Sequence, residues 1–171
     1  MIDLKKFKKI GENTIIYPNA RFPTPENVEI GDYCKIDEFT FLYARIGIKI
    51  GNHVHIATMC SVIGAGYFEM GDYSGMAAGA RILTSTNDYR YGYHMSAASP
   101  QEQQNIIKSK VIIEKDGFIG TNAIIHPGVV IREGSVIGSN SLVLHDTEPW
   151  TLYAGSPAKK IGYRERVRRF E

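Results

Sequence analysis

Only two cysteines occur in the 171 residues, Cys34 and Cys60, too few for the disulfide framework of a small secreted domain. Both take an inward-facing place in the repeat described below, so they are expected as buried small side chains. No apolar run approaches the roughly 20 residues that a membrane-crossing helix needs. The amino-terminal stretch MIDLKKFKKI carries lysines without a following apolar block, so no signal peptide is expected. Charge of one sign is also scarce: 20 Lys and Arg stand against 18 Asp and Glu, a formal net charge of +2. That balance gives no broad basic surface for nucleic acid. A single domain over 1–171, in the cytoplasm, is the expectation, with enough chain to bury a core.

What the chain does have is a short repeat. Over 113–147 an aliphatic residue recurs at every sixth position: Ile113, Ile119, Ile125, Ile131, Ile137 and Val143. Two positions before each of the last five stands a small or aliphatic residue: Gly117, Ala123, Val129, Ser135 and Ser141. Such a period matches neither a helix nor a simple alternating strand. It suits short strands joined by tight corners, with Gly120 and Gly138 where a corner needs room. Fixed short periods mark solenoids, and this one reads as a parallel β-helix built on hexapeptides.

Earlier residues keep the same phase. Ile10 and Ile16 begin it, and from Ile30 the aliphatic positions fall into triplets, 30/36/42, 50/56/62 and 70/76/82, followed by 113/119/125 and 131/137/143. These define three faces, a, b and c. FPTPEN (22–27) interrupts the first hexads with two prolines that cannot pair in a central ladder. Every later interruption follows face c: two residues added between Leu42 and Ile50, two between Val62 and Met70, and a long excursion between Ile82 and Ile113. Two bulges are therefore expected on one edge of a prism, stacked beneath a protruding loop over 84–112. A loop of this length in a compact repeat is commonly functional, and its Tyr, Asn, Asp, Gln and His content favours an ordered binding loop. The β-helix is expected over 10–149. In the remaining 150–171, Ser156 can cap a helix and Pro157 suits its first position, so a short C-terminal helix is expected from Ala158.

The repeat resembles the left-handed β-helix hexapeptide-repeat acyltransferases, the group of the galactoside and maltose acetyltransferases, over most of 10–162. The resemblance implies an all-β fold, a left-handed parallel β-helix. The left hand runs against the usual crossover rule for parallel strands and is taken from the resemblance alone. Also implied are acetyl-coenzyme A as co-substrate, a homotrimer with sites between subunits, and no metal. At the third hexad position of face b stand Ala78, Thr121 and Ser139. By itself this column is either a smooth strip for a long ligand or the ordinary preference of corners for small residues. The resemblance makes it a track for the pantetheine arm, with Gly120, Thr121 and Ser139 in contact. Ala154-Gly155-Ser156-Pro157-Ala158-Lys159 matches the family's terminal signature near the coenzyme phosphates, which Lys159 and Lys160 suit as point charges.

The acyl acceptor's chemistry is less uniform. Many O-acetyltransferases of this group place a general-base histidine at the start of the loop, where the hexads here place Asn87, which takes no proton at neutral pH. Asn87-Asp88-Tyr89 resembles the Asp-Asp-Phe/Tyr stretch of sugar acyltransferases that also lack that histidine. Asp88 is thus the first catalytic candidate, orienting the acceptor or accepting its proton; the structural alternative is an Asx turn where the chain leaves the β-helix. Asn87 and Tyr89 are candidate acceptor contacts. His55, expected at a corner near the cleft, is the second catalytic candidate. His94 matches no family motif, His126 is expected at the surface, and His145 stands where some relatives place a lysine. Tyr89, Tyr91 and Tyr93 can stack on a sugar or base, or pack against a neighbouring subunit. A deprotonated amine attacks a thioester without a strong base, so the missing histidine favours an amino sugar over a hydroxyl. The expected function is acyl-coenzyme A-dependent acyl transfer, most simply acetyl, to a sugar or nucleotide sugar for surface polysaccharide, by direct attack in a ternary complex. Two alternatives stand beside it: a non-catalytic β-helix scaffold, and a zinc enzyme like the gamma-class carbonic anhydrases.

Overall fold

Three parallel sheets wind around one apolar core in the computed structural model, which describes residues 2–168. Their membership follows the sixth-residue pattern. Face a stacks Lys9–Ile10, Val28–Ile30, Gly47–Ile50, Tyr67–Met70, Lys110–Ile113 and Val130–Ile131. Face b stacks Ile15–Ile16, Lys35–Ile36, His55–Ile56, Gly75–Met76, Phe118–Ile119 and Val136–Ile137, and face c runs from Phe41–Leu42 to Leu142–Val143. Register is in step throughout, for example Met76 opposite Ile56 and Ile119. The fold is the expected left-handed β-helix.

The aliphatic column points inward and is almost fully buried, as at Ile30, Ile36, Leu42, Ile56, Ile82, Ile119 and Ile125. Each such side chain contributes on the order of 1.5–3 kcal/mol by leaving water. The small companions pack between the columns: Cys60, Ala80, Ala123 and Ser141 are all buried. Both cysteines are free thiols. Burial pushes the Cys60 thiol up to about 11, and that of Cys34 upward as well. At the a/b corners the backbone turns through the left-handed region at Asn13, Tyr33, His53, Tyr73, Asp116, Gly134 and Trp150. Gly134 has an additional reason to lack a side chain: a Cβ would lie 2.3 Å from the Trp150 ring.

The protrusions do share the c/a edge and do stack. Arg45 and Ile46 of the first bulge donate to the Gly64 and Gly66 carbonyls of the second, at 3.1 and 3.0 Å. The second bulge in turn carries the loop: Gly66 N–H donates to Thr84 Oγ1 (3.2 Å) and Ala65 N–H to Ser85 Oγ (3.0 Å). The loop leaves as an antiparallel ribbon, Ser85–Asn87 against Ile106–Lys108. At its neck, Ser109 N–H donates to the Thr84 carbonyl at 3.0 Å.

The expected C-terminal helix is not there. Thr151–Ala154 joins face b beside Val136–Ile137, and Lys159–Tyr163 folds back on it antiparallel. Residues 155–158 form the turn between them, and 164–168 carry no helix. The physical reason is the open strand edge at the end of face b, which presents unpaired N–H and C=O groups. An isolated helix this short is marginal in water, whereas the hairpin satisfies that edge. The remaining tail residues, 169–171, lie outside those described. At the other end, a 3-10 turn at Leu4–Lys6 leads to Phe7, which packs edge-on against Phe22 at 4.8 Å.

Candidate active site

The small-residue column lies at the b/c corner, where each coil turns from face b to face c. Backbone hydrogen bonds run up it parallel to the helix axis: Gly79 N–H to Thr58 O (3.0 Å), Asn122 N–H to Ala78 O (3.1 Å) and Asn140 N–H to Thr121 O (2.8 Å). Thr121 and Ser139 are exposed and Ala78 is half-buried, so the strip is open along its length. Gly120 is held to glycine by the coil above, since a Cβ would stand 2.6 Å from the Ile137 carbonyl.

The terminal hairpin delivers Ala154 and Gly155 to the upper end of this strip. Gly138 N–H donates to Tyr153 O (2.7 Å), Gly155 N–H to Ser141 Oγ (3.1 Å) and Leu142 N–H to Gly155 O (3.0 Å). The two lysines of the signature differ in setting. Lys159 is exposed, whereas Lys160 is ion-paired with Glu148 and stands 4.2 Å from the Tyr163 ring centre. Glu148 holds the Lys160 ammonium above its ordinary range.

At the c/a edge, the loop carries Asn87, Asp88 and Tyr89. Asp88 is buried and its carboxylate is gripped by Arg90, Nε to Oδ1 at 2.9 Å and Nη2 to Oδ2 at 2.7 Å. Arg90 N–H also donates to Asp88 Oδ1 (3.1 Å), so the Asx turn is present as well. The Arg90 hydrogen bonds hold the carboxyl below the usual carboxylate range. Asn87 Nδ2 donates to Met95 O at 2.9 Å, while Asn87 Oδ1 is buried with no partner among the described residues. Tyr89, Tyr91 and Tyr93 are exposed. Arg90 was not singled out in the sequence; its signal was the two-residue spacing from Asp88.

His55 is not at a corner. It faces outward in the middle of face b, between Lys35 and Gly75, with Nε2 3.0 Å from Asp37 Oδ2. Face b lies opposite the c/a edge, so one chain does not bring His55 to Asp88. The coenzyme strip and the loop are likewise on different edges, separated by the width of face c. His53 stacks between Tyr33 and Tyr73 at a/b corners, His126 is half-buried beside the loop edge, and His94 and His145 are exposed. Among the described residues no three His, Cys, Asp or Glu side chains are grouped to hold a metal ion. None of their helices is long and apolar enough to cross a membrane.

Comparison with known proteins bears on this geometry directly. Residues 110–144 match the family model described as the hexapeptide repeat of succinyl-transferase. The chain is 36% identical over 168 residues to the dTDP-4-amino-4,6-dideoxy-D-glucose acyltransferase of Escherichia coli, covering 96% of this chain and 88% of that protein. It superposes with a TM-score of 0.90 and 31% identity on AntD, an N-acyltransferase from Bacillus cereus solved in complex with dTDP and 3-hydroxybutyryl-CoA. That match covers 95% of this chain and 86% of AntD. A putative colanic acid biosynthesis acetyltransferase, WcaF of Escherichia coli K12, is 26% identical over 93% of this chain and 70% of its own length. With its stacked hexads, its open b/c strip and its terminal Ala154-Gly155 turn, the chain belongs to the hexapeptide-repeat acyltransferases and is an acyl-coenzyme A-dependent enzyme.

Proposed function

We propose that this enzyme transfers an acyl group, acetyl or a short relative, from coenzyme A to the amine of a nucleotide-linked amino sugar, for surface polysaccharide. The observation that carries the reading is Asn87 at the loop root: the ribbon holds an amide where a general base would be needed to activate a hydroxyl. Two relatives point the same way. One is named for dTDP-4-amino-4,6-dideoxy-D-glucose, and AntD, an N-acyltransferase, has also been solved with that sugar nucleotide and coenzyme A bound. The pantetheine arm lies along Gly120, Thr121 and Ser139, with Ala154 and Gly155 at its upper end and Lys159 and Lys160 toward the phosphates.

The step is direct. The amine lone pair attacks the thioester carbonyl carbon, the tetrahedral intermediate collapses with cleavage of the C–S bond, and the departing sulfur takes the amine proton. Asp88, ionised and fixed by Arg90, orients the acceptor together with Asn87 and Tyr89. Its charge stabilises the positive nitrogen that forms on attack. Cys34 and Cys60 are buried thiols with raised pKa, so neither serves as an acyl carrier.

A homotrimer completes this site. Within one chain the corner turn at Ala78 and Gly79 and the strand Arg81–Leu83 hold the strip and the loop neck at Thr84 on different edges. Exposed Phe39, Phe41, Met59 and Ile63 lie along face c and its two edges, an apolar band suited to a neighbouring subunit. The loop of one subunit then meets the strip of the next, and His55 contributes only across such an interface. The free cysteines agree with a cytoplasmic enzyme. The test is a panel of sugar nucleotides with acetyl-coenzyme A, read by product mass. Acetylation confined to 4-amino sugars supports the reading, and acetylation of hydroxyl-only sugars at equal rate overturns it. Light scattering should give three times the 19.1 kDa chain mass; a monomer removes the shared site.

A further inference from the structure

The a/b corner is the edge opposite face c and lies away from both the strip and the loop. The left-handed corner residues there form one column, each N–H bonding a carbonyl of the coil before: Tyr33 to Glu12, His53 to Asp32, Tyr73 to Asn52, Asp116 to Asp72, Gly134 to Lys115 and Trp150 to Glu133. The first three carry stacked rings. Tyr33 and His53 are 5.0 Å apart and 2° from parallel, and His53 and Tyr73 are 4.7 Å apart and 5° from parallel. Trp150 folds back onto Gly134 and fills that rung, because a Gly134 Cβ would meet its ring at 2.3 Å. Among the described residues the rung of Asp116, between Tyr73 below and Trp150 above, carries no ring; the Arg164 guanidinium braces its backbone, Nη1 donating to the Asp116 carbonyl at 2.7 Å and the Gly134 carbonyl at 3.1 Å.

A cleft of about 690 Å³ opens at this place. Tyr73 and Trp150 are its aromatic walls, and Lys115, Arg166 and Arg168 line it as cations against Asp116 and Glu133. Lys115 Nζ stands over the Tyr73 ring, 5.8 Å from its centre, so a ring stacking on Tyr73 displaces this ammonium toward the ligand's anionic group. Coil spacing of roughly 4.8 Å would set a planar ring at the Asp116 rung in stacking range of Tyr73. An anionic group on that ring would meet the Lys115 ammonium and the two guanidinium groups. We propose that this cleft binds a nucleotide, its base completing the Tyr33–His53–Tyr73 ladder beneath Trp150 and its phosphates held by Lys115, Arg166 and Arg168. The site is independent of the acyl-transfer site and of the acceptor assigned to it.

Trp150 is the only tryptophan in the chain, so with the acyl-transfer site filled by coenzyme A its fluorescence reports this cleft. Titrating ADP into the full-length protein saturated with coenzyme A, under tryptophan-selective excitation, should give saturable quenching. Tyr73→Asn keeps a residue that tolerates the left-handed turn and removes the ring; Lys115→Gln removes the cation without touching the ladder. Each should weaken ADP by about tenfold or more, while Asp88→Asn titrates like wild type. Ribose 5-phosphate, which has no base, should not quench. Absent or non-saturating quenching, Tyr73→Asn and Lys115→Gln titrating like wild type, loss of the signal in Asp88→Asn, or equal quenching by ribose 5-phosphate would each overturn the proposal.

Discussion

Gly66→Ala tests how the fold holds the loop. Gly66 sits in the second bulge directly under the loop neck, and an added Cβ would lie 2.0 Å from the Ser109 carbonyl oxygen and 2.5 Å from that of Thr84. Real Cβ contacts essentially never fall below 3.0 Å, and both obstacles are backbone, so no side chain can swing aside. The Ser109 carbonyl has to retreat by about 1 Å, an overpacking strain costing typically 1–3 kcal/mol. The retreat also pulls on the Ser109 N–H to Thr84 O bond that closes the neck, worth about 0.5–1.5 kcal/mol. The sum, about 2–4 kcal/mol, corresponds to a melting temperature lowered by roughly 5–15 °C for a chain of this size. Because both displaced residues root the ribbon that carries Asn87 and Asp88, kcat/KM should fall further than the stability loss explains, by about 100-fold at a temperature where the variant is folded. The assays are thermal unfolding by circular dichroism and steady-state acyl transfer on the same preparation. Gly92→Asn is the control: Gly92 is at the loop tip with nothing within 4 Å of its Cβ position, and Asn tolerates its positive φ. It should leave unfolding close to wild type. A Gly66→Ala protein with wild-type melting and wild-type kcat/KM would refute the stacking of bulge and loop as the device that positions the site.

Further expectations follow from other parts of the molecule. Ile119→Ala, in the buried face b column, should lower unfolding free energy by about 2–5 kcal/mol in denaturant titration; a loss under 1 kcal/mol, on the order of a surface substitution, would contradict the column as core. Thr121→Trp at the b/c strip should raise KM for acetyl-coenzyme A at least about tenfold with little change in acceptor KM; an unchanged coenzyme KM would move the track elsewhere. Asp88→Asn should reduce turnover by about tenfold or more. Arg90 holds the Asp88 carboxyl below the usual carboxylate range. The stability it contributes is therefore complete above the ordinary aspartate pKa of about 3.9 and is lost only as pH falls through the lowered folded value. Arg90→Ala should move that loss upward in pH, and an unmoved acid transition would count against the clamp. Iodoacetamide should label neither cysteine in the folded protein and both after unfolding, as measured by intact mass.

How much was legible in the sequence depended on the range of the forces involved. The faces were legible because every sixth aliphatic, from Ile30 to Val143, reports the same inward direction coil after coil. The stacking of the bulges under the loop followed from counting residues after Leu42, Val62 and Ile82. The outward aim of His55 was also implicit: it immediately precedes the inward Ile56, and successive strand residues point to opposite sides. The terminal hairpin was not legible. Ser156 and Pro157 are local helix signals, whereas the pairing of Thr151–Ala154 with Lys159–Tyr163 answers an open sheet edge that exists only once six coils are stacked. The Asp88–Arg90 clamp lay between the two: the spacing was visible, but the return of the guanidinium onto both carboxylate oxygens depends on the ribbon. The ring ladder of Tyr33, His53 and Tyr73 was hidden for a related reason, since its members are twenty residues apart in sequence and meet only through coil register.

Direct acyl transfer to an amine is the central claim, and two-substrate kinetics test it most directly. Initial rates of thiol release should be measured with acetyl-coenzyme A and dTDP-4-amino-4,6-dideoxyglucose varied against each other. The account predicts intersecting double-reciprocal lines, no thiol release without the amino sugar, no acetylated protein by intact mass, and an N-acetyl product. Parallel lines with an acetylated enzyme, or no turnover with any amino sugar at saturating coenzyme, would contradict it.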